Sequence, residues 1–210
     1  MPDSDLLLYV DARFLSPYAM SVFVGLEEKS LPFRLETVDL EGGAQHAPAY
    51  AALSLTGRVP TLVHAGFALS ESSAITEYLD DVFGGVRLYP AEPRARARAR
   101  QLQAWLRSDL DALKAERSTE GVFRAPVAVP LSAQAHAAAA RLFRVAEALL
   151  PAGEAHLFGV WSVADVDLAL ALQRLLANGD EVPARLADYA RGEWERPAVR
   201  QWIARARETA

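Results

Sequence analysis

The spacing of apolar residues changes its rhythm once along the chain, and that change limits the folds open to it. Up to about residue 85 two periods alternate. Residues 6–10 form a short apolar run and residues 33–38 alternate apolar with polar, as strands do. Thr61 to His64 and residues 67–69 flank Ala65-Gly66, a two-residue hairpin signal. Between the first two strands, residues 17–29 open on a proline and place Tyr18, Val22 and Leu26 at helical spacing. Residues 48–53 read as a helical turn, and Ala74, Ile75, Tyr78, Leu79 and Val82 as one face of a further helix.

Beyond Pro93 only the helical period remains. Leu102, Trp105, Leu106, Leu110 and Leu113 form one stripe; Leu142, Phe143, Ala146, Leu149 and Leu150 form another. Residues 166–176 are apolar on all sides, the pattern of a buried central helix, and shorter helices are expected at 183–191 and 197–207. The expected architecture is a small α/β domain, β-α-β-α-β-β-α, over residues 1–85, followed by an all-α domain over 93–210. Charge divides at the same place. Residues 1–85 hold 12 acids and 4 bases, a net of −8, while residues 86–210 hold 15 acids and 18 bases, a net of +3. Gly84-Gly85 and Tyr89-Pro90 punctuate the join, so the linker is placed at 84–93.

Composition removes several chemistries. The chain of 210 residues has no cysteine, which excludes disulfides, thiolate metal sites, iron–sulfur clusters and a cysteine nucleophile. Any thiol chemistry must use sulfur brought by a co-substrate. A net charge of −5 argues against general nucleic-acid binding. The opening Met1-Pro2-Asp3-Ser4-Asp5 lacks the basic start of a secretory signal, and no apolar run approaches the ~20 residues of a membrane span. A cytoplasmic protein with no membrane partner is expected.

Three short motifs could carry chemistry, and each has a plain structural reading beside the functional one. Ser16-Pro17-Tyr18 opens the first helix; Ser is a favoured N-cap and Pro a favoured first residue. The same geometry places a hydroxyl at the positive end of a helix, where it can donate to an anion such as a thiolate. Val59-Pro60 enters the third strand, either as an edge device or as a cis bond presenting the Val59 backbone to an extended ligand. Ser70-Glu71-Ser72-Ser73 precedes the third helix. It either caps that helix or clamps a zwitterion, with Ser72 and free N–H groups on a carboxylate and Glu71 on an ammonium.

Together, in this order on this strand and helix pattern, the motifs resemble those of the glutathione S-transferases over essentially the whole chain. Asp11-Ala12, Phe14-Leu15-Ser16-Pro17-Tyr18 and ARARQLQAWLRSDL at 97–110 resemble more narrowly the bacterial YfcF-like transferases. The resemblance implies a thioredoxin-like first domain that binds glutathione in extended form. Ser72 and Glu71 would hold its γ-glutamyl end, Val59 positioned by Pro60 would pair with its cysteinyl backbone, and Gln45 lies in the loop expected near its glycyl end. Ser16 would donate to the sulfur and is preferred over Tyr9, expected in the core, and Tyr18, past the helix mouth.

A free thiol has a pKa of about 8.5, and lowering it by ~2 units needs about 2.7 kcal/mol of preferential thiolate stabilisation. One charge-assisted hydrogen bond, ~1.5–3 kcal/mol, and a helix N-terminus, ~0.3–1 kcal/mol, supply that. The thiolate would attack a small hydrophobic electrophile such as an activated aryl halide, or an organic hydroperoxide. The electrophile is expected to face the helix near 102–115 and the loop 120–130, whose Val122, Phe123, Val127 and Val129 read either as an apolar wall or as ordinary packing between helices. A homodimer is also implied. The alternatives are a glutathione-dependent isomerase or dehalogenase using the same site, and a non-catalytic interaction module.

Further residues invite chemistry less strongly. Ser162-Val163-Ala164-Asp165 reads as a capping box for the buried helix, so Asp165 and Asp167 are assigned no metal. His46, His64, His136 and His156 form no ligand motif by spacing, and Arg94, Arg96, Arg98 and Arg100 are assigned to solvent or a subunit interface. No metal site is expected.

Overall fold

The computed structural model describes residues 5–127 and 129–210; residues 1–4 of the acidic opening, and Ala128 of the 120–130 loop, lie outside the described residues. The chain divides into two compact units.

The first unit runs up to Leu88 and takes in Gln201–Ala210. Its sheet is built from β1 (Leu6–Asp11), β2 (Arg34–Val38), β3 (Thr61–His64) and β4 (Phe67–Ser70), in the order β2-β1-β3-β4. β1 pairs parallel with β2, and α1 (Pro17–Glu28) is the crossover that a parallel pair requires. β3 runs antiparallel to β1 and to β4. The β3–β4 turn puts Ala65 at φ 48 and Gly66 at φ 84, the two positive values that a type I′ hairpin demands.

Leu6, Leu8 and Val10 are buried along β1, while Met20, Val22, Phe23, Val24 and Leu26 make α1 buried on nearly every side. A 3-10 turn (Ala44–His46) and α2 (Pro48–Ala51) follow β2, and α3 (Ser72–Val82) follows β4. α3 buries Ser72, Ile75, Thr76 and Leu79. The expected stripe is therefore corrected by one step around the helix: Ala74 and Val82 are exposed, and two hydroxyl residues take the inner face. Trp202 lies fully buried against Phe14, at 5.1 Å between ring centroids, and Phe23, at 5.5 Å. The buried Lys29 ammonium meets Asp80 Oδ1 at 3.2 Å and Val86 O at 2.8 Å, joining the end of α1 to α3 and the segment beyond it.

The second unit, Tyr89–Arg200, is helical among its described residues. The division between units falls at Leu88 and Tyr89, within the 84–93 stretch. The last ten residues, which the sequence pattern assigned to the helical domain, group with the first unit instead. The reason is Trp202, whose ring belongs to the first unit's core.

α4 (Pro93–Ser108) is capped by Glu92, which accepts Arg94 N–H at 2.9 Å and Ala95 N–H at 2.7 Å and whose carboxyl these bonds hold below its ordinary range. The long stripe through Leu113 is two helices rather than one. The chain turns at Leu110, φ 64, before α5 (Asp111–Glu116), and Leu110 and Leu113 are buried beyond the turn. α6 (Thr119–Phe123) then buries Phe123, stacked on Trp194 at 6.3 Å, whereas Val129 is exposed. Phe123 is thus core, not a pocket wall.

α7 (Ala133–Leu149), the buried α8 (Val163–Leu176) and α9 (Ala184–Trp194) complete the bundle, and α10 (Pro197–Glu208) spans the division between units. The α8 capping box forms, with Asp165 Oδ2 accepting the Ser162 N–H at 2.8 Å and hydroxyl at 2.9 Å. Among the described residues no helix is long and apolar enough to cross a membrane.

Candidate functional site

The sheet register decides which motifs meet. Asp11 at the end of β1 pairs with Val38 at the end of β2, Tyr9 pairs with Thr61 at the start of β3, and Thr61 pairs with Ser70 at the end of β4. One end of the sheet therefore gathers the Ser16 loop, the Val59-Pro60 turn, Glu71-Ser72 and the segment after β2 that carries Gln45.

Ser16 is the N-cap of α1, and its Oγ accepts the Ala19 N–H at 3.2 Å. The capping reading is correct, yet it does not exhaust the residue. Accepting that bond leaves the hydroxyl proton free, and it has no acceptor among the described residues. A cavity of about 280 Å³ opens beside it, lined by Asp11, Arg13 and Leu15 from the loop and by Asp39, Leu40 and Glu41 after β2. Arg13 and Glu41 pair across this cavity.

The loop between β1 and α1 is tied at several points. Ala12 N–H donates to Val38 O at 3.0 Å, and the Thr209 hydroxyl donates to Arg13 O at 3.1 Å. Phe14 sits at φ 54, a region sparsely used by non-glycine residues, against Trp202. The buried Asp11 carboxylate accepts Leu15 N–H at 2.6 Å and Ser16 N–H at 3.0 Å. Asp11 entered the sequence reading only as part of the narrower family resemblance and was given no role there. The residue type there offered one signal, an Asp at a strand end five residues before the helix N-cap, a common turn device.

The Val59-Pro60 bond is cis, and the Val59 N–H and C=O have no hydrogen-bond partner among the described residues. A hydroxyl network holds the residue before it. Arg58 O accepts from Tyr50 at 2.8 Å, Ser54 at 3.0 Å and Thr61 at 3.1 Å, and Ser70 Oγ lies 3.0 Å from Ser54 Oγ. Burial pushes the Tyr50 phenol above its ordinary value. Val38, Tyr50 and Val59 form a small apolar cluster with Tyr9 packed on it, Tyr9 and Tyr50 meeting edge-on at 5.6 Å. Nothing in the sequence pattern announced Tyr50 or Ser54.

At the third motif the capping expectation fails. Glu71 occupies the N-cap of α3 and no side chain caps the helix, because Ser70 is engaged with Ser54 and Thr61, and Ser72 is already helical. Glu71 adopts φ 73 and ψ 114 and is exposed. For a non-glycine residue this conformation costs ~1–3 kcal/mol, and such strain gathers at ligand clamps. Gln45, in the 3-10 turn, has its Oε1 buried without a partner and its Nε2 3.3 Å from His46 Nε2.

Several of the other candidates are held by hydrogen bonds. His156, Asp165 and Glu193 converge in the second unit with ligand atoms within 4.8 Å of one another, which spacing alone did not foretell. Asp165 is saturated: Oδ1 accepts Leu157 N–H and the Tyr189 hydroxyl, and Oδ2 takes both Ser162 donors. Glu193 accepts from His156 and from the Trp161 indole, both at 3.1 Å. In the arginine run, Arg96 donates to the carbonyls of Pro90 and Ala91, bracing the start of α4.

Comparison with known proteins adds the following. The family model for the glutathione S-transferase C-terminal domain matches residues 92–208, and that for the N-terminal domain matches residues 15–82. Mouse glutathione S-transferase theta-1 is 33% identical over 104 residues, 49% of this chain and 42% of its own. Maleylacetoacetate isomerase of Pseudomonas aeruginosa is 37% identical over 110 residues, 50% of each. The match thus spans half or less of those relatives. A glutathione transferase homolog from Burkholderia GL BGR1, solved with bound glutathione, is 41% identical at a TM-score of 0.78, over 97% of this chain and 98% of its own.

Proposed function

Because the chain belongs to the glutathione S-transferase family, we propose that it binds glutathione at the gathered end of the first unit's sheet and activates its thiol for transfer. The observation that carries this reading is the Ser16 hydroxyl. It caps α1, keeps its own proton unspent and faces the cavity beside the loop.

In this reading glutathione lies extended. Its γ-glutamyl carboxylate takes Ser72 and the uncapped N–H groups of α3, and Glu71 meets its ammonium. The Val59 backbone pairs with the cysteinyl residue, and Gln45 takes the glycyl end. Ser16 donates to the sulfur, and the Ala19 N–H at its oxygen makes the hydroxyl a stronger donor. With a small hydrophobic aryl halide, the thiolate forms the C–S bond as the carbon–halogen bond breaks and halide leaves. The thiol proton has already passed to solvent. With an organic hydroperoxide, the O–O bond breaks, an alcohol leaves, and a second glutathione converts the sulfenic acid to disulfide and water. With no cysteine in the chain, both sulfurs come from glutathione.

Isothermal titration with glutathione, followed by a pH titration of thiolate absorbance in the complex, tests the proposal. Binding with a thiol pKa below about 8.5 supports it. Absence of binding overturns it and leaves the fold as an interaction module. The Pseudomonas relative favours one second reading, a glutathione-dependent isomerase at the same site; turnover of a cis-unsaturated diketo acid without net glutathione consumption distinguishes it.

A further inference from the structure

We propose that Asp11 is the positioning residue for the Ser16 hydroxyl, and that it acts through the backbone of residues 15 and 16. The inference rests on Ser16 being the donor to the glutathione sulfur. A serine hydroxyl at a helix mouth has three staggered directions open to it, and only one of them serves a given ligand atom. Two bonds remove that freedom here. Ser16 Oγ is drawn toward the Ala19 N–H, and Ser16 N–H is drawn toward Asp11 Oδ1. The second carboxylate oxygen holds Leu15 N–H, and the Asp11 carbonyl holds Phe14 N–H at 3.0 Å. One buried side chain and its own carbonyl thus fix three consecutive amides leading into the helix. The rest of the loop is anchored independently at Val38, Trp202 and Thr209.

An anion in that position is a cost to the proposed chemistry. The cavity beside Ser16 is already lined by Asp39, Glu41 and Arg13, and another negative charge disfavours a thiolate. Asparagine has nearly the same shape and no charge, yet it presents an amide N–H₂ to one of the two backbone donors. The substitution Asp11→Asn therefore separates three roles by sign. If Asp11 is only a nearby charge, removing it lowers the bound thiol pKa. If it is only a loop staple, stability falls and the thiol pKa stays put. If it positions Ser16, the thiol pKa rises despite the lost negative charge.

The experiment is the pH titration of thiolate absorbance for glutathione bound to native protein, Asp11→Asn and Ser16→Ala, with glutathione affinity and thermal unfolding measured on each. The expected result for Asp11→Asn is an increase of about one pKa unit, hence about tenfold less thiolate at low pH, with affinity changed less than about threefold. Its conjugation rate with an activated aryl chloride should fall about fivefold at pH near 6.5 and recover as pH rises, which a merely loosened fold would not do. A pKa that falls or does not move overturns the proposal. If Asp11→Asn fails to fold, Asp11→Glu carries the same readouts: the longer arm displaces the carboxylate, so the pKa should again rise, and an unshifted value overturns the inference. Native protein that binds glutathione without lowering its thiol pKa overturns the role of Ser16 as well. A lowered pKa that survives in Ser16→Ala does the same.

Discussion

Replacing Ser16 with alanine removes two things at once, and their sizes can be separated. The first is the cap. Ser16 Oγ satisfies the Ala19 N–H at 3.2 Å, and losing such a cap costs about 1 kcal/mol. In a chain of 210 residues that lowers Tm by about 2–4 °C. The second, under the proposed function, is the donor to the glutathione sulfur. A hydrogen bond to a charged group contributes ~1.5–3 kcal/mol, which at 1.36 kcal/mol per unit is a rise of about 1–2 units in the bound thiol pKa. From a starting value near 6.5, the thiolate fraction at pH 6.5 falls from about a half to about a tenth or less.

Ser16→Asp uncouples the two effects. Aspartate caps a helix about as well as serine but offers no hydroxyl and adds a negative charge. It should therefore keep the native Tm and lose the depressed thiol pKa. Thiolate absorbance against pH and a thermal melt on the same three proteins give both readings. If Ser16→Ala melts a few degrees lower but its bound thiol titrates as in native protein, Ser16 is a cap and the mechanism argued from it is wrong.

Three further outcomes follow from the geometry. Glu71→Gly relieves a non-glycine residue at φ 73, a strain of ~1–3 kcal/mol, against ~0.4–1 kcal/mol of added chain entropy, so urea unfolding should show higher stability while glutathione affinity drops. Lys29→Met leaves the buried Asp80 carboxylate without its cation and should cost about 3–5 kcal/mol, much of it regained in Lys29→Met/Asp80→Asn; equal melts for the single and double variants would refute the argument. Burial, reinforced by Asp165, holds the Tyr189 phenol well above its ordinary value of 10.0, so the folded state keeps a proton that the unfolded chain releases. Its contribution is constant below about pH 10 and lost as pH rises further, and Tyr189→Phe should flatten that alkaline decline in unfolding free energy.

The parts of this molecule legible in the sequence are those where one residue type has one use. Ser16 before Pro17 marks the start of α1, and Ala65-Gly66 marks a hairpin whose two residues both take positive φ. The period of two in residues 33–38 gives β2 to within a residue. What could not be read depends on partners far along the chain. Leu110 ends one helix and starts another at φ 64 with no glycine or proline to mark the turn, because burial of its side chain outweighs the local cost. Trp202 looks like one more residue on a helical stripe, and only its packing on Phe14 and Phe23 assigns it to the first unit. The site shows the same limit. Glu71-Ser72 was visible as a motif, but Glu71's positive φ and the hydroxyl network on Arg58 O are products of strand register.

The tie between Thr209 and Arg13 joins residues 196 apart. On a ribosome adding ~5–20 residues per second, Thr209 is made some 10–40 s after Arg13. During that interval the nascent α/β portion has its strands and α1 but not the Trp202 ring that covers Phe14 and Phe23. The Phe14 and Phe23 rings, in and beside the loop that carries Ser16, stay open to chaperones and to wrong partners until α10 is delivered. The loop that carries Ser16 is made well before Trp202 and Thr209 yet is finished only with them, so slowing translation between the two lengthens the life of an aggregation-prone intermediate even though every residue of that loop is long since made.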